Sequence, residues 1–140
     1  MGRVLGVDLG SRRIGLAVSD PDGRVATPLA VIERTGDRAA DHRTILTHAR
    51  EAGASRVVVG LPLSLSGKVG PAERAVLEEV ESLRAEASGS IAVDTHDERL
   101  TTVIAERGLR AARPRRRARK RGVDPAAAAV MLQSYLEARS

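Results

Sequence analysis

The sequence contains no cysteine, tryptophan or phenylalanine, and Tyr135 is its only tyrosine. Without cysteine the chain has neither disulfides nor thiolate zinc sites, which is compatible with a reducing cytoplasm, where we expect the protein to act. Proteins that read single-stranded RNA stack its bases on aromatic side chains. Because this chain lacks such side chains, any nucleic-acid binding has to depend on backbone charge and shape.

Long apolar stretches are absent as well. No run of about eighteen apolar residues occurs, so the sequence predicts no membrane-spanning helix and no membrane partner. The N-terminus lacks the charged start, apolar stretch and small-residue cleavage site of a signal peptide. With 140 residues, 42% of them apolar, the chain is long enough for one core, and we expect a single domain over residues 1–140.

Positive charge is concentrated in one segment, although the whole chain has 23 lysine and arginine residues against 18 aspartate and glutamate residues. Outside residues 107–121, which hold nine of the cations and no acid, 14 cations and 18 acids give a net charge of −4. A basic block usually contacts phosphates or an acidic partner, while a solvated arginine-rich loop is the alternative. We expect residues 107–123 to form a basic, flexible segment. Its nine cations are Arg107, Arg110, Arg113, Arg115, Arg116, Arg117, Arg119, Lys120 and Arg121.

The order of the apolar runs predicts an α/β fold. A meander of three strands is followed by alternating helices and strands, which favours a sheet covered by helices. Pro28 in the third strand indicates either an edge position or a bend. The predicted strands are residues 3–9, 14–19, 25–32, 56–59 and 91–93. The predicted helices are residues 37–51, residues 72–87, one beginning near Arg99, and one beginning at Pro125 with Ala127, Val130, Met131, Ser134 and Tyr135 on its apolar face.

Acidic residues stand at the ends of several predicted elements. Asp8 interrupts the apolar run of the first strand, and a charge there is costly to bury unless it is paired or bound to a metal. Carboxylates on separate elements can converge at one edge of a sheet, where their oxygens suit Mg²⁺ or Mn²⁺. The other acids of this set are Asp97 and Glu98 after the last predicted strand, and Asp124 before the final helix.

Each of these acids also has a structural interpretation. Asp8 can pair with an arginine, and Glu98 can favour the positive N-terminal end of a helix. Asp124 directly before Pro125 has the form of a helix N-cap.

Histidines and glycines near these acids are interpreted more simply. We interpret His42 and His48 as surface residues of the first helix, and His96 as a structural residue rather than a ligand. Gly6 and Gly10 flank Asp8, and we interpret them as positions that let a phosphate approach the backbone.

Four stretches resemble the YqgF (RuvX-type) family of pre-rRNA nucleases and Holliday-junction-resolvase-like proteins. The stretches occur in the family's order and span nearly the whole chain: GVDLGSRRIGLAVSD, VVVGLPLSLSGKVGP, DERLTT and DPAAAAVMLQSYL. The resemblance implies an RNase H-like fold, with a mixed five-stranded sheet and helices on both faces. It also implies that Asp8, Glu98 and Asp124 are the catalytic, metal-binding acids, with Asp97 as a weaker candidate ligand.

The function implied by this resemblance is a nuclease that depends on Mg²⁺ or Mn²⁺ and acts on structured nucleic acid, with 5′-end processing of pre-16S rRNA as the leading reaction. A Holliday junction resolvase is the first alternative, and it would favour a homodimer over a monomer because it cuts two symmetric strands. A non-catalytic nucleic-acid-binding assembly factor is the second. The VDLGS stretch also resembles the phosphate-binding start of actin and sugar-kinase ATPases, but those enclose the nucleotide with a duplicated domain, and this chain has one copy.

Candidates for nucleic-acid binding are the cations beside the acids and in the basic segment. Arg12 and Arg13, in the turn after Asp8, are suited to hold the scissile or a neighbouring phosphate, although a solvated turn is the alternative. The full set is Arg12, Arg13, Lys68, Arg99, Arg113, Arg115, Arg116, Arg117, Arg119, Lys120 and Arg121.

Overall fold

The computed structural model describes residues 2–62, 69–98 and 125–139. Within these ranges the strands are β1 (Arg3–Leu9), β2 (Arg13–Ser19), β3 (Ala26–Glu33), β4 (Ala54–Leu61) and β5 (Ala92–Asp97). The helices of the same ranges are α1 (Arg38–Glu51), α2 (Pro71–Ala87) and α3 (Pro125–Arg139). Among these described helices, none is both long enough and apolar enough to cross a membrane.

The strands form one mixed sheet in the order β3-β2-β1-β4-β5. The pairs β1–β2 and β2–β3 are antiparallel, whereas β1–β4 and β4–β5 are parallel. Strands β1, β3, β4 and β5 therefore end at the same edge of the sheet, which we call the C-terminal edge, and β2 begins there. This topology confirms the predicted five-stranded α/β sheet, and it confirms the edge position of the strand that contains Pro28.

Two apolar layers cover the two faces of the sheet. Leu5 and Val7 of β1 pack with α1 and α2 on one side, whereas Val4 packs with α3 on the other. This division follows from the two-residue repeat of a strand, which sends successive side chains to opposite faces. Helices on both faces are thus confirmed.

Helix α3 approaches the sheet closely because β1 contains Gly6. A Cβ atom at Gly6 would lie 2.9 Å from Cβ of Leu132, a distance that real side chains do not adopt. The interpretation of Gly6 as space for a phosphate is therefore wrong, since helix packing occupies that space. The predicted apolar face of α3 is also partly wrong: Ala127 is exposed, while Ala128 and Ala129 are buried.

Strand β5 is longer than its apolar pattern indicates. Its pairing with β4 continues through Thr95 and His96 to Asp97, which the sequence analysis placed after the strand. The polar residues of β5 are stabilised by contacts that a local pattern does not contain. Asp94, for example, pairs with Arg56 of β4 and accepts a hydrogen bond from the Tyr135 hydroxyl at 3.2 Å.

Candidate active site

Asp8 lies on the α3 side of the sheet, next to the C-terminal edge. Val4 and Gly6, which precede it on the same face of β1, both contact α3. Asp8 is opposite Gly15 of β2 in the antiparallel ladder. Its carboxylate makes no hydrogen bond or ion pair with any residue in the described ranges, so the alternative of a structural pairing with an arginine finds no support there.

Glu98 reaches the same side of the sheet from β5. It follows the last residue of that strand, and His96, two residues earlier, has its Nε2 atom 3.0 Å from Oγ of Ser134 on α3. A Cβ atom at Gly60 of β4 would lie 2.6 Å from Oε1 of Glu98. Since β4 lies between β5 and β1, the Glu98 carboxylate occupies the space above β4 that a side chain at position 60 would otherwise fill.

Burial and neighbouring charge affect the protonation of these two carboxylates. Burial raises the pKa of Asp8. Burial also raises the pKa of Glu98, and the negative charges of Asp8 and Asp97 raise it further. Neighbouring carboxylates resist joint ionisation unless a proton or a cation compensates their charge. The pair therefore concentrates negative charge, which favours a bound cation.

Helix α3 begins at the edge where the carboxylates meet. Met131 lies against the position of Gly60 near the end of β4. Tyr135, one turn later in α3, contacts Asp94 nearer the start of β5. The helix thus runs antiparallel to these parallel strands, and its first residue, Pro125, is at the C-terminal edge.

The chemistry of the donors fits a divalent cation that prefers oxygen ligands. Within the described ranges, however, no three histidine, cysteine, aspartate or glutamate side chains are placed to hold a metal ion together. Asp8 and Glu98 therefore need a further donor. The sequence predicts Asp124, directly before α3, for this role, and that residue lies outside the described part of the chain.

Arg12 and Arg13 stand at the C-terminal edge, where β2 begins. Nε of Arg13 is 3.6 Å from Oε1 of Glu33, and the exposed fractions of these side chains, 33% and 80%, make this a weak surface ion pair. The Arg12 side chain is exposed and forms no ion pair within residues 2–62, 69–98 and 125–139. Their contact with phosphate stays a prediction.

A buried ion cluster on the α1 and α2 side of the sheet was not predicted from the sequence. Nη1 and Nη2 of Arg34 donate to the two carboxylate oxygens of Glu79, at 3.0 and 2.8 Å. Nε2 of His42 lies 2.7 Å from the same carboxylate. Burial alone would raise the pKa of Glu79, but the hydrogen bonds and charges of His42 and Arg34 outweigh it and lower that pKa to about 2.

This cluster also holds the turn that follows β1. Nε of Arg34 donates to the carbonyl of Gly10 at 2.8 Å, and the main-chain N–H of Arg34 donates to the carbonyl of Arg12 at 2.8 Å. The turn connects the strand that carries Asp8 to the predicted phosphate-binding arginines. We therefore regard Arg34 and its partner Glu79 as positioning residues for the site.

The interpretation of His42 as a surface residue is wrong, because only 1% of it is exposed; His48 is partly buried. A sequence signal for the cluster did exist. His42 lies three residues before the core residue Ile45, and Glu79 lies three residues after the core residue Val76. Residues three apart share a helix face, so both polar side chains fall within apolar faces and need a buried partner.

The other predicted site residues lie outside the described part of the chain and stay sequence-based predictions. They are Lys68, Arg99, Arg113, Arg115, Arg116, Arg117, Arg119, Lys120, Arg121 and Asp124.

Sequence comparisons agree with one another over nearly the whole chain. A family model described as "RuvX: Holliday junction resolvase" matches residues 2–138. A protein of Desulforudis audaxviator named "Putative pre-16S rRNA nuclease" is 44% identical, with 98% of this chain and 95% of the relative covered. A protein of Nocardia farcinica with the same name is also 44% identical, with 99% of this chain and 79% of the relative covered.

Solved structures with a similar backbone include two of RuvC from Thermus thermophilus. The structure in complex with a Holliday junction substrate has a TM-score of 0.64 at 15% identity, covering 99% of this chain and 96% of the other. A second RuvC structure has a TM-score of 0.61 at 16% identity, covering 98% and 95%. At these identities the likeness concerns the fold alone, and it confirms the RNase H-like architecture.

Proposed function

This chain belongs to the RuvX family, and from that premise we propose that it is a divalent-metal-dependent nuclease that hydrolyses phosphodiester bonds in structured nucleic acid. We propose the 5′ end of pre-16S rRNA as its substrate, in line with the names of the relatives. The observation that carries the proposal is that Glu98, which Gly60 admits above β4, lies close enough to Asp8 for the charge of Asp8 to raise its pKa.

Asp8, Glu98 and Asp124 would hold the cation, Mg²⁺ or Mn²⁺; Asp97, the weaker candidate, does not form a three-carboxylate group with Asp8 and Glu98 within the described ranges. Such a cation, when bound, activates a water molecule and stabilises charge on the phosphate and the leaving oxygen. The position of Glu98 above Gly60 and the effect of the Asp8 charge on its pKa support the first two donors, whereas Asp124 rests on the sequence.

The protein's own contribution is to place these carboxylates before substrate arrives. Gly60 admits the Glu98 side chain above β4, and Met131 of α3 borders the same space. Both carboxyl groups are partly withdrawn from water, so their attraction for a cation is screened less than at an open surface. A preformed arrangement of this kind lowers the cost of organising the site during the reaction.

Cations of the chain would bind and orient the polyanion. Arg12 and Arg13 follow the strand of Asp8 directly, and their guanidinium groups are suited to bidentate contacts with phosphate oxygens. The basic segment at residues 107–121 would add non-specific attraction for the backbone.

A second candidate function is Holliday junction resolution, which the description of the matching family favours. Both reactions are metal-dependent phosphodiester hydrolysis and would use the same acids. They differ in substrate, and junction resolution favours a two-fold dimer because two symmetric strands are cut.

One cleavage assay tests the proposal and chooses between these substrates. It offers a 5′-extended 16S rRNA fragment and a four-way DNA junction side by side, with Mg²⁺ or Mn²⁺, to the wild type and to Asp8→Asn. Asp22→Asn is the matched control, because Asp22 is an exposed acid in the turn between β2 and β3, at the opposite edge of the sheet.

We expect cleavage of the RNA by the wild type and by Asp22→Asn, and a loss of at least about 100-fold in Asp8→Asn. Loss of a group that merely supports a metal ligand already costs about 10–100-fold, and loss of the ligand itself should cost more. Cleavage of the junction alone would move the assignment to the resolvase. Binding without cleavage at any metal concentration would contradict the nuclease and support an assembly factor.

A further inference from the structure

Four arginines converge on one groove beside the candidate active site. The groove has a volume of about 630 Å³ and lies between the turn after β1, the end of β3 and the start of α1. Its charged lining residues are Arg12, Arg13, Arg34, Arg38, Glu33 and Asp41. The sequence analysis singled out only the first two of these.

This concentration of arginine is unusual for the described part of the chain. Residues 2–62, 69–98 and 125–139 contain 12 arginines, no lysine and 16 aspartate and glutamate residues, which gives a net charge of −4. A third of these arginines therefore line one groove, although the described residues together carry a net negative charge. The lining holds four cations and two acids, and such an excess of positive charge in a concave surface raises the local concentration of anionic ligands.

The groove offers two cations that no described acid neutralises. The acids of its lining are engaged: Glu33 forms the weak pair with Arg13, and Asp41, only 2% exposed, accepts a 2.8 Å hydrogen bond from Oγ1 of Thr35. Arg34 is engaged by Glu79, as described above. The side chains of Arg12 and Arg38 are exposed, and within the described ranges neither forms a hydrogen bond or an ion pair.

The groove and the two carboxylates share an edge of the sheet but lie toward opposite faces. Asp8 and Glu98 are on the α3 side, whereas α1, which borders the groove, packs on the other side. The turn at residues 10–12 connects the two places. A single small anion cannot occupy both, but a polyanion that crosses the edge would place one phosphate at the carboxylates and others in the groove.

We propose that this groove binds the phosphodiester backbone of a substrate segment away from the scissile phosphate, with Arg12 and Arg38 as its main contacts. The proposal rests on the proposed nuclease function in one respect: that function places the scissile phosphate at Asp8 and Glu98, and the groove then receives a neighbouring part of the substrate. Guanidinium groups that contact phosphates position a nucleic acid without reading its sequence. The groove would therefore favour structured substrates that extend past the cut site.

Binding measured in EDTA tests the proposal without cleavage. The double variant Arg12→Gln/Arg38→Gln is compared with Arg24→Gln/Arg50→Gln, which removes the same charge from exposed arginines at the opposite edge of the sheet. The probes are the 5′-extended rRNA fragment and the four-way junction, titrated by fluorescence anisotropy at several salt concentrations. Circular dichroism checks that each variant folds.

We expect the groove variant to bind about tenfold more weakly than the wild type, and the slope of log K against log salt to fall by about 2, one for each lost phosphate contact. The control variant should bind like the wild type. The proposal would be overturned if both variants lost nucleic-acid affinity by the same factor, or if neither lost any. Wild-type nucleic-acid affinity in the groove variant, together with binding of inorganic phosphate that the wild type shows and the groove variant lacks, would reassign the groove to a small anion and also overturn the proposal.

The two proposals fail in different measurements. If binding depends on the groove arginines but no metal-dependent cleavage occurs, the nuclease proposal fails and the proposal of a nucleic-acid-binding groove stands. Cleavage lost in Asp8→Asn, together with wild-type binding by Arg12→Gln/Arg38→Gln, would keep the nuclease and reject the groove.

Discussion

Two glutamates on opposite faces of this sheet, both at least partly buried, have pKa values shifted in opposite directions. Glu98, on the α3 side, has other carboxylates nearby, and burial together with those charges raises its pKa. Glu79, on the α1 and α2 side, is surrounded by His42 and Arg34, whose hydrogen bonds overcome the effect of burial and lower its pKa to about 2. Burial acts in the same direction on both, so the partners decide the outcome.

The difference separates carboxylates that raise one another's pKa from a carboxylate whose charge the fold compensates. The carboxylate of Glu79 receives two guanidinium hydrogen bonds and one from an imidazole, so its charge is compensated within the fold. Asp8 and Glu98 carry charges of the same sign near each other, so a cation added beside them would be attracted by both. Each prediction below alters one side of this comparison.

The largest effect on stability is expected from Glu79→Gln. Removal of one charge from a buried, hydrogen-bonded ion pair leaves the other uncompensated, so the free energy of unfolding should fall by about 3 kcal/mol. Urea unfolding at neutral pH measures the change. Glu78→Gln, at an exposed position one residue away, is the control and should change stability by less than about 0.5 kcal/mol. Equal effects of the two variants would show that the cluster is not a special source of stability.

Acid titration of stability gives an independent check on this cluster. A carboxylate whose folded pKa is below its unfolded value contributes stability above the unfolded pKa and loses it as the pH falls toward the folded pKa. For Glu79 this window extends from 4.5 down to about 2. The gap in stability between the wild type and Glu79→Gln should therefore narrow as the pH falls across that window. A gap independent of pH would contradict the role of ionised Glu79.

A smaller effect, on activity rather than stability, is expected from Gly60→Ala. The new Cβ atom would lie 2.6 Å from Oε1 of Glu98, so that carboxylate has to move away from its place above β4. We expect the cleavage rate to fall at least about tenfold, as when a group supporting a metal ligand is lost. Gly70→Ala is the control, because a Cβ atom there would meet nothing within 4 Å. A Gly60→Ala enzyme with wild-type rates would contradict the placement of Glu98 in the site.

The smallest effect is a gain in stability from Asp8→Asn without divalent metal. Because burial raises the pKa of Asp8, its ionised form is less favourable in the folded than in the unfolded chain at neutral pH. Removal of that charge should raise the free energy of unfolding by about 1 kcal/mol, measured by urea unfolding in EDTA. Saturating Mg²⁺ should stabilise the wild type more than the variant. Destabilisation in EDTA would indicate that Asp8 is held by a structural partner.

Much of the fold was predictable because its signals are local. The apolar runs of β1 and β2 and the helical spacing of α2 depend on neighbouring residues, and the elements formed close to the predicted bounds. Asp8 was recognisable for the same reason, as a charge in an apolar strand. Strand β5 was predicted too short because Asp94 and His96 are stabilised by Arg56, Ser134 and Tyr135, which are distant in sequence.

The sequence by itself determined the succession of strands and helices, the acid of β1, the concentration of positive charge at residues 107–121, and the resemblance to a family. Only the tertiary structure decided that Glu98 lies above Gly60, that His42 is buried against Glu79, and that Arg12 and Arg38 border one groove. The physical reason is that chain chemistry is local, whereas burial and charge interactions depend on distances in space. Those distances exist only after the sheet and its helices have packed.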